Sequence, residues 1–589
     1  MRSRSPIQGS IALNLIFCLF ASPINLTAQQ SPSEVPSVTI RTNTRLVIVD
    51  VVVTDKKGQA ITGLKPENFT LEENGKKQKV AVFVPPGASS GAPQPAAPAG
   101  IFSNHPQDVG PVAGLPTVLL LDATNSPFKD QSYARSQMLK YVLEQGQAGH
   151  TMAVLTLTDQ LRVLQQFTSD PQVLMTAIKN FHPEEQILRA SPPAPESHGT
   201  STTPFDGGGG IAGGAGAQVA QLAVQQFADL QVGYNLQRRT EITLQAMKSL
   251  TWMLGGLPGR KNVVWLTSSL PFDLVPEDNN VSQAELLADL PGQGRQRSVS
   301  TNAAGAYAAE ARQMYLPEIK QAESELASAS IAIYPVDLTG LMSGMESSAS
   351  RGGSVYSDRA LSSRAGSMMS TQETNQGTME EVAGHTGGQI YKNQNEIKDG
   401  IALAVADEKA SYTLGYYPEN KKWDGKFRNL KVKLDRGDTE LRYRKGFYAV
   451  DPTADKKANF DSEVASALQL GAPATQVSFM AQAKPSDPGK IRVVFLVDAH
   501  TLSVEDAAGG KRINASFYAS LYDGSGKNLG TRGLKVDKAF DAATYQQILD
   551  KGVMTPIDMD LPAGAKEVRL AVLDNRTGYI GTVSGPIGQ

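Results

Sequence analysis

The chain of 589 residues has one cysteine, Cys18. It lies within an apolar N-terminal stretch, and removal of that stretch would leave no thiol. A disulfide-stapled fold and a cysteine nucleophile are therefore excluded for the processed chain. An excess of one charge is also lacking: 56 Lys and Arg stand against 58 Asp and Glu, a net charge of −2. No basic surplus points to nucleic acid, and no acidic tail points to a solvating role. Beyond the N-terminus no apolar run reaches the roughly 20 residues of a membrane span.

Signs of catalysis are equally sparse. The six histidines, His105, His150, His182, His198, His385 and His500, form no His-Glu-x-x-His pattern and no pair with zinc-ligand spacing. No Gly-x-Ser-x-Gly elbow precedes a helix. The glycine run from Gly207 to Gly216 has no Lys-Ser/Thr after it and no strand before it, so it is no phosphate loop. Acidic residues are too common for one hydrolytic carboxylate pair to stand out.

What is present begins with an export signal. Arg2 and Arg4 precede the apolar core Ile11 to Ala21, and Leu26-Thr27-Ala28 offers a small residue before cleavage, so residues 1–28 read as a signal peptide. Pro23 and Asn25, and the short core, argue against an anchor. The bulky Leu15-Ile16-Phe17 argues against lipid attachment at Cys18. The expected location is outside the cytoplasm: periplasm, outer envelope or medium. With 40% hydrophobic and 19% charged residues, the rest can bury ordinary cores, in about three or four domains.

Residues 36–85 have a β pattern. Leu46 to Val53 is a strand buried on both faces, and Asn74-Gly75 marks a hairpin. The Pro-, Ala- and Gly-rich residues 86–114 read as a linker. From 115 to 409 apolar strands (Thr117 to Asp122, Met152 to Leu157, Asn262 to Leu266, Ser330 to Val336) alternate with helical segments. That alternation predicts a doubly wound, mostly parallel α/β sheet. Residues 188–230, 274–305 and 341–377 read as flexible insertions. A helix is expected to start at Pro317, with the proline in its first turn. Residues 410–449 are β again and, like 36–85, too short to bury two sheet faces alone. The two segments are expected to pair into one discontinuous sandwich. After a charged hinge, Asp451 to Lys457, residues 475–589 predict a second β-sandwich. Tyr412, Tyr416, Tyr417, Trp423, Phe427 and Tyr443 could form a carbohydrate platform, but such residues more often pack a small sheet.

The apolar strand Leu119-Leu120-Leu121 running into Asp122-Ala123-Thr124-Asn125-Ser126 resembles the first metal loop of von Willebrand factor type A domains. The surrounding blocks resemble a bacterial von Willebrand factor A-related family, common in acidobacteria. They are Arg45-Leu46-Val47 through Asp55, Gly63-Leu64 with Asn68-Phe69, Leu257 to Asn262, Tyr334 to Asp337, Thr386-Gly387-Gly388 and Tyr412 to Tyr417. The resemblance implies a Rossmann-like sheet with a divalent-metal adhesion site at the carboxyl ends of its strands. Asp122, Thr124 and Ser126 would ligate Mg²⁺ or another hard cation, directly or through water. A later threonine completes that pattern, Thr240 in preference to Thr243. The pattern also expects an aspartate where Ser268 stands, which would weaken the site; Asp273 or Asp337 could replace it. If the loop is vestigial, Asp122 would cap the following helix.

The function expected from all this is recognition of a protein partner, adhesion-like and not enzymatic, with no nucleic acid and no membrane span after signal removal. A structural envelope scaffold with an idle metal loop is the alternative, and a hydrolase comes third.

Overall fold

A computed structural model describes residues 46–87, 100–109, 116–145, 150–183, 214–272, 302–340, 358–394, 396–451 and 460–587. The signal segment, most of the charged hinge and Asp273 lie outside these residues. Among those described, no helix is long and apolar enough to cross a membrane.

The chain is mixed α/β with several sheets. It opens with β1 (Val47–Asp55), β2 (Phe69–Glu73), β3 (Lys76–Gln78), β4 (Val80–Val84) and β5 (Ile101–Ser103). The α/β part follows: β6 (Thr117–Asp122), α1 (Phe128–Gln145), β7 (Met152–Leu157), β8 (Leu161–Thr168), α2 (Pro171–Asn180), α3 (Gly214–Leu254), β9 (Lys261–Thr267), α4 (Asn302–Ser328), β10 (Ile331–Asp337), α5 (Asp358–Thr386) and α6 (Ile397–Ala406). Then come β11 (Ser411–Tyr416), β12 (Phe427–Leu434), β13 (Thr439–Arg442) and β14 (Gly446–Tyr448). The last part holds α7 (Phe460–Gln469), β15 (Phe479–Pro485), β16 (Lys490–Val497), β17 (Glu505–Ala507), β18 (Gly510–Tyr522), β19 (Asn528–Phe540), α8 (Ala542–Lys551), β20 (Val553–Asp560), β21 (Glu567–Asp574) and β22 (Ile580–Pro586).

The central sheet has the order β10-β9-β6-β7-β8. β10, β9, β6 and β7 run parallel, and β8 closes the edge antiparallel. Strands covered on both faces are near-continuous apolar runs, and every residue of β6, β7, β9 and β10 is buried, with the polar ones mostly at the strand ends. Val118 and Leu120 point to one face, where α3, α4 and α5 supply Met247, Leu250, Ile319, Leu326 and Met379. Leu119 and Leu121 point to the other, against Met138 and Tyr141 of α1, Ile178 of α2 and Ile401 of α6. Each such leucine is worth about 1.5–3 kcal/mol of transfer free energy.

β1 lies between β11 and β13, and β2 pairs with β12, so strands from either side of the α/β part build two four-stranded sheets. They share a core of Val49, Val51, Val53, Leu71, Tyr412, Leu414 and Tyr416. The tyrosines belong to that core: Tyr412 and Tyr416 are wholly buried, and Tyr416 donates its hydroxyl to Glu73 at 2.7 Å. Glu73 also pairs with the buried Arg428 at 3.0 Å.

In the C-terminal part the β20-β16-β15-β5 sheet packs on the sheet of β17, β18, β21 and β22 across Phe479, Phe495, Phe517 and Val572.

Five readings of the sequence need correction. Within 86–114, β5 pairs with β15, and Asn104 is fully buried, donating to the carbonyls of Ala474 and Val477 at 2.7 and 2.8 Å. Three strand residues in a Pro- and Ala-rich stretch leave too short a pattern to read. Within 188–230, residues from 214 onward are helical, because the Ala- and Gln-rich run is made of strong helix formers. Residues 302–305 and 358–377 are helical too and begin α4 and α5. Finally, Pro317 lies inside α4, not in its first turn, because the alanine-rich stretch ahead of it is already helical.

Candidate functional site

β6 is the strand from which the chain departs in both directions. It reaches β7 on one side through α1, and later returns to β9 on the other. Ligands of open α/β sheets bind in the crevice at such a place, outside the carboxyl ends of the strands. Asp122 ends β6 there, on the face that Leu120 shares with α3.

Asp122 is fully buried and accepts four hydrogen bonds. Oδ1 takes the Asn125 backbone N–H at 2.8 Å. Oδ2 takes Asn125 Nδ2 at 2.9 Å, Trp265 Nε1 at 3.0 Å and Thr267 Oγ1 at 3.0 Å. Burial pushes its carboxyl above the ordinary range, and the bonds from Asn125, Trp265 and Thr267 offset this only in part. The contact with Asn125 is a local turn three residues along. It is not a cap on α1, which starts at Phe128.

The other expected ligands are committed too. Thr124 Oγ1 donates to the carbonyls of Leu157 and Thr158. Ser126 Oγ accepts from the Ser268 backbone N–H at 3.0 Å. Ser268 Oγ donates to Asp130 at 2.6 Å. Thr240 Oγ1 donates to the carbonyls of Leu236 and Pro271 at 2.9 and 3.0 Å. Of the two candidate threonines it is Thr243 that meets the loop, accepting from Asn125 Nδ2 at 3.0 Å. Asp337 ends β10, about 10 Å or two strand spacings from Asp122. Its oxygens take Thr339 at 2.9 and 2.6 Å and Gln376 at 2.7 Å.

These residues do not fit a hard divalent cation as they stand. A carboxylate offers about four lone-pair directions, two on each oxygen; Asp122 Oδ2 already serves three protein donors and Oδ1 one, and the side chain is fully buried. Ser126 Oγ already accepts one hydrogen bond, and Asp337 belongs to another cluster. Among the described residues no group of three or more His, Cys, Asp or Glu could hold a metal ion.

Residues not singled out from the sequence complete the rim. Arg239 of α3 donates through Nε to Asn125 Oδ1 at 2.9 Å and through Nη2 to Ser269 Oγ at 3.2 Å. Ser269 Oγ donates to the Asn125 carbonyl at 3.2 Å. Beside the loop, Phe128 is 49% exposed at the head of α1. Past the end of β7, Asp159 pairs with Arg162 at 2.8 Å, which lowers the Asp159 carboxyl pKa. The rim thus combines a locked polar centre with an exposed aromatic ring and an exposed ion pair.

No protein-family model and no curated protein matches the chain. Several solved structures are distantly similar. A von Willebrand factor type A protein from Catenulispora acidiphila is 9% identical, with 94% of this chain and 74% of that one covered, at a TM-score of 0.19. An aerotolerance-related membrane protein from Bacteroides fragilis is 12% identical over 50% of this chain and all of that one, at 0.22. The pilus adhesin SpaC from Lactobacillus rhamnosus, in its open conformation, is 9% identical over 90% and 74%, at 0.23. Scores this low carry no argument about fold or role.

Proposed function

We propose that this chain is an exported binding protein whose α/β part is a doubly wound, von Willebrand A-like core. It recognises a protein partner at the carboxyl edge of β6, β7 and β9. The observation that carries the reading is the convergence of the Asp122–Ser126 loop, Thr243 and the loop after β9 at the point where the sheet's connections diverge. The Asp-x-Thr-x-Ser spacing of the loop supports it. Phe128 is the natural anchor: interfaces draw their energy from a few aromatic side chains ringed by polar ones, and Asp159 and Arg162 form part of that ring.

The test uses immobilised protein lacking residues 1–28 to capture envelope proteins, with wild type and Phe128→Ala compared at equal folded fraction. Loss of an anchor costs about 2 kcal/mol or more, roughly a thirtyfold drop in affinity. Capture that is unchanged by Phe128→Ala and by Asp159→Lys would reject the rim as the contact surface and favour a scaffold with an idle loop.

A further inference from the structure

We infer that Arg239 is the resident cation of this rim, and that recognition there needs no divalent metal. The inference rests on reading the rim as the recognition site, but it is tested on the protein alone.

The resemblance assigns a metal ion the task of joining three segments: the loop after β6, a residue on α3 and the loop after β9. Arg239 joins the same three. It belongs to α3, it reaches the first loop at Asn125 Oδ1, and it reaches the last at Ser269 Oγ. Ser269 closes the circuit by donating to the Asn125 carbonyl. Asn125 then carries the connection inward, its Nδ2 donating to both Asp122 and Thr243. A charge-assisted bond on one side of an amide strengthens the bonds its other side makes. The guanidinium is thereby coupled to the buried Asp122 carboxylate through one side chain. If a cation displaced the Asn125 amide from Asp122 Oδ2, Asn125 would have to turn away. It would give up its bonds to Asp122 and Thr243 and remove the acceptor that Arg239 Nε uses.

The experiment is a thermal melt of metal-stripped protein with and without millimolar Mg²⁺ or Mn²⁺, together with the electron paramagnetic resonance signal of free Mn²⁺. A ligand that binds only the folded state raises the melting temperature in proportion to occupancy. The expected result is a shift below about 1 °C and no loss of the free Mn²⁺ signal. Arg239→Ala should melt roughly 3–8 °C lower, since two bonds from a charged donor are lost. Arg239→Lys should recover only part of that fall, because an ammonium cannot span both acceptors with a fixed fork. Binding of about one Mn²⁺ per chain, abolished by Asp122→Asn, would overturn the inference, as would an Arg239→Ala protein that melts like wild type. If Arg239→Ala does not fold, Ser269→Ala and the wild-type Mn²⁺ signal decide it. Failure to capture any partner leaves these readings untouched, so the two proposals fail separately.

Discussion

Asp122→Ala puts the polar centre of the rim to the test. The substitution removes one acceptor group that serves four donors. Two of the four keep another partner: Thr267 Oγ1 still donates to the Ser269 carbonyl at 2.7 Å, and Asn125 Nδ2 still meets Thr243. The Asn125 backbone N–H and the Trp265 indole N–H each lose the Asp122 oxygen that accepts from them. A buried donor that loses its acceptor costs up to about 1–3 kcal/mol, so the pair costs up to about 2–6 kcal/mol. Removing a desolvated carboxylate offsets part of this, because burial disfavours its charged form. The expected net loss is about 2–4 kcal/mol, a fall of roughly 4–12 °C in the melting of the α/β part. Tryptophan fluorescence is a suitable probe because Trp265 is itself one of the donors and lies wholly in the core. Asp122→Asn should cost less than Asp122→Ala, since its amide oxygen keeps an acceptor, although its NH₂ then faces the Asn125 NH₂. An Asp122→Ala protein with wild-type stability and an unshifted Trp265 emission would refute the reasoning.

Two further predictions concern charges away from the rim. Lys261 is buried with its ammonium donating to the Leu257 carbonyl at 2.9 Å, and burial pushes its pKa down to about 8. In the unfolded chain it titrates near 10.4, so between about pH 8 and pH 10.4 the unfolded state holds a proton that the folded state has released. Stability should therefore rise with pH across that window by about 3 kcal/mol in all. Lys261→Met should lack this rise, and a difference between the two pH profiles that stays flat would contradict it. Glu73 accepts from both Arg428 and Tyr416 in the β-sandwich core. Glu73→Leu should cost about 3 kcal/mol, near the low end for a broken buried pair, because Arg428 keeps the carbonyls of Asn420 and Lys422. A denaturant midpoint within error of wild type would count against it.

The parallel strands were readable because their burial is unconditional. Thr117 to Asp122 and Lys261 to Thr267 are covered on both faces, and such runs have no polar alternation to confuse them. The edge strand Leu161–Thr168 was missed for the opposite reason: it is half exposed, with Arg162, Gln165 and Gln166 breaking the pattern. The Asp122 loop stood out through its spacing. Its partners did not, because they are fixed by register and not by proximity in sequence. Leu120 pairs with Trp265 across β6 and β9, and only that parallel alignment brings the indole and Thr267 to Asp122. Arg239 likewise meets Asn125 only because α3 packs over this face of the sheet, a tertiary fact that no spacing within α3 reveals.

Site-specific photocrosslinking addresses the recognition claim most directly. A photoreactive side chain replacing Phe128 on the rim is compared with one replacing Leu534, exposed on the distant β19. The account predicts one discrete adduct with an envelope protein from the Phe128 position and none from the Leu534 position. Equal adducts from both positions, or an adduct from the Leu534 position alone, would contradict it.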